Sequence, residues 1–261
     1  MKTALITGAS SGIGREFAKI LAKDGYNLVI VARGREALEK VREQIQEHHD
    51  VNIKIFDKDL SKAINIEEIY QTLKREKCQI DVLVNNAGFG DLGLFYKEQW
   101  DRQLGMIEVN IIAVAHLTHL FLPGMVARQN GKILNVASTA AFGPGPMMAV
   151  YYATKVFVLH FSEAISNELR GTGVTITALC PGPTATHFQS VAGIHNNRLI
   201  RKNLPTPLEV ARFGYKAMKQ GRRIAVYGWF NKFFIFSVRL LPRSIILRIT
   251  RYVQDNMKRS Y

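Results

Sequence analysis

Short runs of β-branched and aliphatic residues alternate along this chain with longer segments of helical period. The runs are ALIT (4–7), NLVIVA (27–32), VNIKIF (51–56), IDVLV (80–84), KILNVAS (132–138), VTITALC (174–180) and RIAVY (223–227). Helix-like segments fall between them, at about Ile13 to Lys23, Glu36 to Glu47, Ile66 to Lys77, Glu98 to Arg128, Ala149 to Arg170 and Leu208 to Lys219. Nearly continuous apolar strands belong in a parallel sheet covered by helices on both faces, because neither face is left to water. The pattern predicts an α/β fold, a doubly wound parallel sheet of about seven strands with right-handed crossovers. Residues 1–227 contain no linker, repeat or low-complexity stretch and read as one domain; 228–261 read as a C-terminal extension.

Composition narrows the setting. The 47% hydrophobic content suits a globular core. Cys78 and Cys180 are the only cysteines, which gives no disulfide framework and no metal-ligand cluster, so no metal and a reducing, cytoplasmic compartment are expected. The first strand begins almost at Met1, leaving no secretion signal to expect. Val109 to Ala127 and Ile133 to Thr154 are uncharged, but Asn110, His116, Thr118 and His119 interrupt the first and Gly143 to Pro146 break the second. Burial, not membrane spanning, is the expectation for both. The net charge of +14 is uneven: residues 222–261 hold nine Lys or Arg against Asp255, leaving +6 for the rest. No nucleic-acid reading module accompanies that charge, so no nucleic-acid partner is expected.

TGASSGIG, Thr7 to Gly14, stands where the first strand turns into the first helix. Gly8, Gly12 and Gly14 permit a tight turn and close backbone approach, and the helix N-terminus favours a pyrophosphate. Thr7, Ser10, Ser11 and Ile13 complete that candidate cradle. At the end of the second strand an NAD site would place an acid to hold the ribose hydroxyls, where this chain has Ala32. Arg33 follows, with Arg35 and Arg15 nearby, and guanidinium groups suit a ribose 2′-phosphate, so NADP is favoured over NAD. Asp59, followed by Leu60, is placed to accept from the adenine amino group; Asn86, Ala87 and Gly88 end the fourth strand beside the same ligand.

The segment YYATK places Tyr151 and Lys155 one helical turn apart, after Ser138 at a strand end. A phenol with a pKa near 10 needs a neighbouring cation to exchange protons at neutral pH, and Lys155 at i+4 supplies one. Tyr152 points about 100° away around the helix and lacks that partner.

With TGASSGIG, Asp59, NNAG, Asn110, Ser138, YYATK and PGPTAT (181–186) in this order, the chain resembles the short-chain dehydrogenase/reductase family over about residues 1–227. The resemblance implies a Rossmann-type fold and nicotinamide-dependent interconversion of carbonyls and alcohols. It implies Tyr151 as proton donor or acceptor, Lys155 also holding the nicotinamide ribose, Ser138 bonding the substrate oxygen, and Asn110 holding a water that links Lys155 to solvent. Pro181 and Gly182 would close on the nicotinamide, with Thr184 or Thr186 contacting its carboxamide or the pyrophosphate. Dimers or tetramers through the two long helices are also implied.

The segments expected around the reacting carbon, 89–96, 139–150 and 184–203, carry Phe89, Leu92, Phe142, Met147, Met148, Phe188 and Val191. They suit a lipophilic ketone or aldehyde, or alternatively serve to anchor the loops. A carrier-bound 3-oxoacyl chain is the alternative substrate, and a non-catalytic NADP-binding sensor the alternative of another class. In the extension, Ile245, Ile246, Ile249, Tyr252 and Val253 fall in one helical sector and Arg243, Arg248, Arg251 and Lys258 in the opposite one; the run from Trp229 to Phe236 adds an apolar patch. Two readings stand for 229–261: a peripheral membrane contact at the cytoplasmic face, or packing on the parent domain or a neighbouring subunit.

Overall fold

The computed structural model describes residues 1–194 and 204–257. All seven apolar runs form strands: β1 (Thr3–Thr7), β2 (Asn27–Ala32), β3 (Ile53–Asp57), β4 (Val82–Asn85), β5 (Gly131–Val136), β6 (Val174–Cys180) and β7 (Ile224–Val226). They pair in parallel in the order β3-β2-β1-β4-β5-β6-β7. The order reverses direction beside β1, which opens a crevice between the carboxyl ends of β1 and β4.

Helices cover both faces. On one side α1 (Gly12–Lys23), α2 (Arg35–Gln46) and a C-terminal α8 (Pro207–Lys219) bury Phe17, Leu21, Leu38, Ile45 and Met218 against the sheet. On the other, α3 (Ala63–Arg75), α5 (Ala113–Ala127) and α6 (Ala149–Glu168) flank the sheet, with α4 (Trp100–Ile107) packed on α6, and Ile66, Ile69, Leu117, Phe121 and Met125 supply much of the core on that face. Each fully buried large side chain contributes about 1.5–3 kcal/mol. A short helix α7 (Phe188–Val191) follows β6.

The segment expected as a single helix over 98–128 starts at Trp100 and is interrupted by a π-helical turn at Glu108–Ile112. Asn110 sits in that turn, fully buried. Apolar periodicity does not register a widened turn, since the flanking residues keep their faces; such turns often mark functional positions. The run Trp100–Ala127 has the length and composition to cross a bilayer, but Val114, Leu117, Phe121 and Met125 pack inside the domain.

The extension forms two helices, α9 (Trp229–Leu240) and α10 (Arg243–Asp255), separated by extended Leu241 before Pro242. A residue before proline is driven out of the helical region, which fixes this break. Where an amphipathic helix was expected from Arg243 alone, the apolar patch that precedes it is itself helical. Ile246 packs 3.5 Å, and Val238 3.6 Å, from the position a Cβ would take on Gly143, so the pair lies on the loop after β5. Lys258 lies outside the described residues, as do residues 195–203 of the expected substrate segment.

Candidate active site

The crevice widens into a cavity of about 650 Å³ that runs from the glycine loop to the tail helices. At the loop, Gly8 and Gly12 have φ of +65° and +55°, which side chains with a Cβ rarely adopt. Ser11, before α1, makes no side-chain cap, and the first turn carries no acid. The helix's leading N–H groups are thus left for an anion. From the opposite wall Thr186 approaches, 3.3 Å from where a Cβ on Gly12 would stand. This cradle, glycine backbone on one side and an uncapped helix end behind it, fits the diphosphate of a dinucleotide.

Gly8, Ser10, Ser11, Gly12 and Ile13 line the cavity, as do Asn86, Ala87 and Gly88 after β4. Thr7 and Gly14 do not. Thr7 Oγ1 accepts from the backbone N–H groups of Asn86 (2.9 Å) and Ala87 (3.0 Å), tying β1 to the loop after β4. Gly14 packs directly on the carbonyl of Gly8 and the amide of Asn86. Both shape the cradle from behind.

At the far end of β2, Arg33 is exposed and lines the cavity with Asp59 and Leu60. Burial tends to raise the Asp59 carboxyl, but the Ser61 backbone and hydroxyl bonds, with Arg33 and Lys62 nearby, hold it below its ordinary value. Arg35 is instead paired with Glu39 at 3.4 Å, and Arg15 with Glu16 at 3.3 Å. Lys58 lines this end too, its ammonium 2.7 Å from Glu68. No motif singles out Lys58; its signal in the sequence is a second base just past β3, in register with the end of β2.

At the other end Ser138, Tyr151 and Lys155 share the wall. Ser138 leaves β5 in an extended conformation and caps a 3₁₀ turn (Thr139–Phe142), its Oγ accepting from Ala140 N at 3.1 Å. Tyr151 and Lys155 both project from the first turns of α6 and are buried. Burial pushes the Tyr151 phenol above its ordinary value; a hydrogen bond with the Ser138 hydroxyl pulls the other way, and Tyr152 adds a little to the rise. Burial brings the Lys155 ammonium down to about 8, opposed by Cys180. Lys155 Nζ donates to Val136 O at 2.8 Å and lies 5.9 Å from the centre of the Tyr151 ring. In this state burial outweighs any influence of the ammonium on the phenol, and the hydroxyl is protonated at neutral pH.

Asn110 does not line the cavity. Its Oδ1 accepts from Phe89 N (3.2 Å), and its Nδ2 donates to Phe89 O (3.0 Å) and Thr154 Oγ1 (3.0 Å). A Cβ on Gly88 would stand 2.8 Å from Asn110 Oδ1 and 3.5 Å from Lys155 Nζ, so these two groups flank one glycine. Pro181, Gly182, Thr184 and Thr186 all border the cavity. Tyr152 turns from Tyr151, their rings 76° apart, and reaches Gln254 of α10.

Residues 2–196 match the short chain dehydrogenase family. The chain belongs to that family. It is 34% identical over 198 residues to a very-long-chain 3-oxoacyl-CoA reductase of Anas platyrhynchos, covering 72% of this chain and 62% of that relative. The chain thus spans less than two thirds of the length of the curated relatives it matches first. Among solved structures it is similar to a short-chain dehydrogenase from Sphingobium yanoikuyae in complex with NADPH (29% identity, TM-score 0.82, 88% of this chain and 89% of that one). It is also similar to the bulky-bulky ketone specific alcohol dehydrogenase from Comamonas testosteroni (27% identity, TM-score 0.78, 92% of both). Family and fold together support a nicotinamide cofactor for this member of the family.

Of the apolar residues expected near substrate, Phe89, Met148, Phe188 and Val191 line the cavity, whereas Leu92 and Met147 pack behind it and Phe142 packs toward α6. The larger departure comes from the tail. Phe230, Phe234, Val238, Ile246, Ile249, Val253 and Gln254 complete the substrate end of the wall, although the family match stops at residue 196. Among the described residues no group of His, Cys, Asp and Glu is placed to hold a metal ion.

Proposed function

We propose that this protein is an NADP(H)-dependent oxidoreductase that interconverts a lipophilic ketone or aldehyde and its alcohol. The observation that carries the proposal is one cavity wall: Tyr151, hydrogen-bonded to Ser138 and backed by Lys155, continuous with the glycine cradle. When bound there, the nicotinamide supplies or accepts the hydride. The two hydroxyls donate to the carbonyl oxygen, and Tyr151, held protonated by its burial, passes its proton to that oxygen as charge builds. Lys155, near 8, keeps a proton at neutral pH and can restore the phenol's. Asn110 fixes the Gly88–Phe89 backbone against Lys155 and offers its carbonyl oxygen to a water between them.

Support for the 2′-phosphorylated cofactor is the exposed Arg33 at the cavity rim, the nearby Lys58, and Ala32 where an acid would repel that phosphate. An apolar substrate is supported by the Phe, Met, Ile and Val side chains on the far wall. A second reading, reduction of a 3-oxoacyl thioester, is favoured by the names of the relatives and by the cavity's extension along the tail helices. The test follows NADPH oxidation with hydrophobic ketones, aldehydes and 3-oxoacyl thioesters, alongside NADPH binding by fluorescence. Binding without turnover of any of them would leave a cofactor-binding sensor in place of an enzyme.

A further inference from the structure

The two tail helices are apolar on both sides. Their inner side walls the cavity; on the outer side Trp229 is 79% exposed, Leu240 71% and Tyr252 72%, with Phe233 and Phe236 exposed between them. Lys232, Arg243, Arg248 and Arg251 are exposed on the same helices, and Asp255 is bridged to Arg251 at 2.7 Å. A run of large apolar side chains on this scale is rare on a free surface and marks a docking site.

We propose that the outer side of α9 and α10 seats in the interfacial layer of an anionic lipid bilayer, and that the carbonyl substrate is a lipid chain reaching Tyr151 from that bilayer past the tail. The second half rests on the oxidoreductase reading; the first does not. Charge selects the occupant. A bilayer of acidic lipids complements the exposed bases, whereas a second copy docked by the same face would bring like charges together. Aromatic rings flanked by Lys and Arg suit the headgroup boundary. At 12 residues α9 is about 18 Å long, too short for a hydrocarbon core of about 30 Å, so the helices lie on the membrane.

The test uses the full chain, sedimented with phosphatidylcholine vesicles with and without phosphatidylglycerol. Each base near the surface adds roughly fivefold in affinity at low salt, so binding should be at least tenfold tighter with phosphatidylglycerol and should weaken with added salt. The variant Trp229→Ser/Phe233→Ser/Phe236→Ser alters only residues outside the cavity wall. It should lose at least tenfold in vesicle binding while NADPH binding and turnover of a water-soluble ketone are retained, and a vesicle-borne ketone should be reduced more slowly. Equal binding to both vesicles, or undiminished binding by the variant, overturns the proposal. So does a concentration-dependent dimer that the variant abolishes, which would give the face to a second copy. Vesicle binding in a protein that reduces no carbonyl would leave the membrane contact standing and remove the oxidoreductase reading.

Discussion

Replacing Lys155 with methionine removes a buried charge while nearly filling its volume, and the effect on stability can be worked from the site. Burial has brought the ammonium from 10.5 down to about 8 in the folded protein. At about 1.36 kcal/mol per pKa unit, holding the lysine charged at pH 7 costs the fold about 3 kcal/mol. The variant escapes that cost but strips Val136 O of its donor, which returns about 1–3 kcal/mol. At pH 7 Lys155→Met should therefore match the parent or exceed it by up to about 2 kcal/mol, while turnover is lost. The sign of the pH dependence is sharper. Because the folded pKa is depressed for a base, Lys155 binds more proton in the unfolded chain between about pH 8 and 10.5, and its own contribution to parental stability, read as the difference from the variant, rises with pH across that window. Urea unfolding of both proteins from pH 7 to 10 should show the parent gaining on the variant by about 2–3 kcal/mol. A constant gap, or a parent that loses ground to the variant above pH 8, would refute the assignment of a desolvated buried ammonium.

Other substitutions separate the parts of the site. Arg33→Ala should weaken NADPH roughly tenfold to a hundredfold, the worth of a charged hydrogen bond, and leave NADH nearly unchanged; fluorescence titration with each cofactor reads the difference. Tyr152→Phe should cost less than about threefold in kcat/KM, since its hydroxyl reaches Gln254 and not the reacting end of Ser138, as steady-state kinetics will show. Gly88→Ala should lose about 1–3 kcal/mol in urea unfolding and much of its turnover, because the new methyl meets Asn110 Oδ1 at 2.8 Å.

The sheet was legible because strands buried on both faces cannot alternate; runs such as NLVIVA admit little else. The residues of YYATK and the glycine loop were legible because their spacing is local to one helix or one turn. Asn110 was harder. Its residue type and place in the chain pointed to the site, but the π turn around it depends on Phe89 and Thr154, which are distant in sequence. Lys58 reaches the cavity through strand register, and Thr7 leaves it through bonds to residues about 80 positions away. The tail illustrates the same limit. Periodicity identified the apolar sector of α10, yet only packing shows that Ile246, Ile249 and Val253 turn toward the cavity while Tyr252 faces out.

The most direct test of the hydride-transfer site is a single turnover with NADPH deuterated on the transferring carbon and a hydrophobic ketone, in the parent and in Tyr151→Phe. Deuterium should appear in the alcohol with the parent and be reduced by several orders of magnitude in the variant, with NADPH binding the two proteins alike. Label transfer at the parental rate in Tyr151→Phe would contradict the role of that phenol and the account built on it.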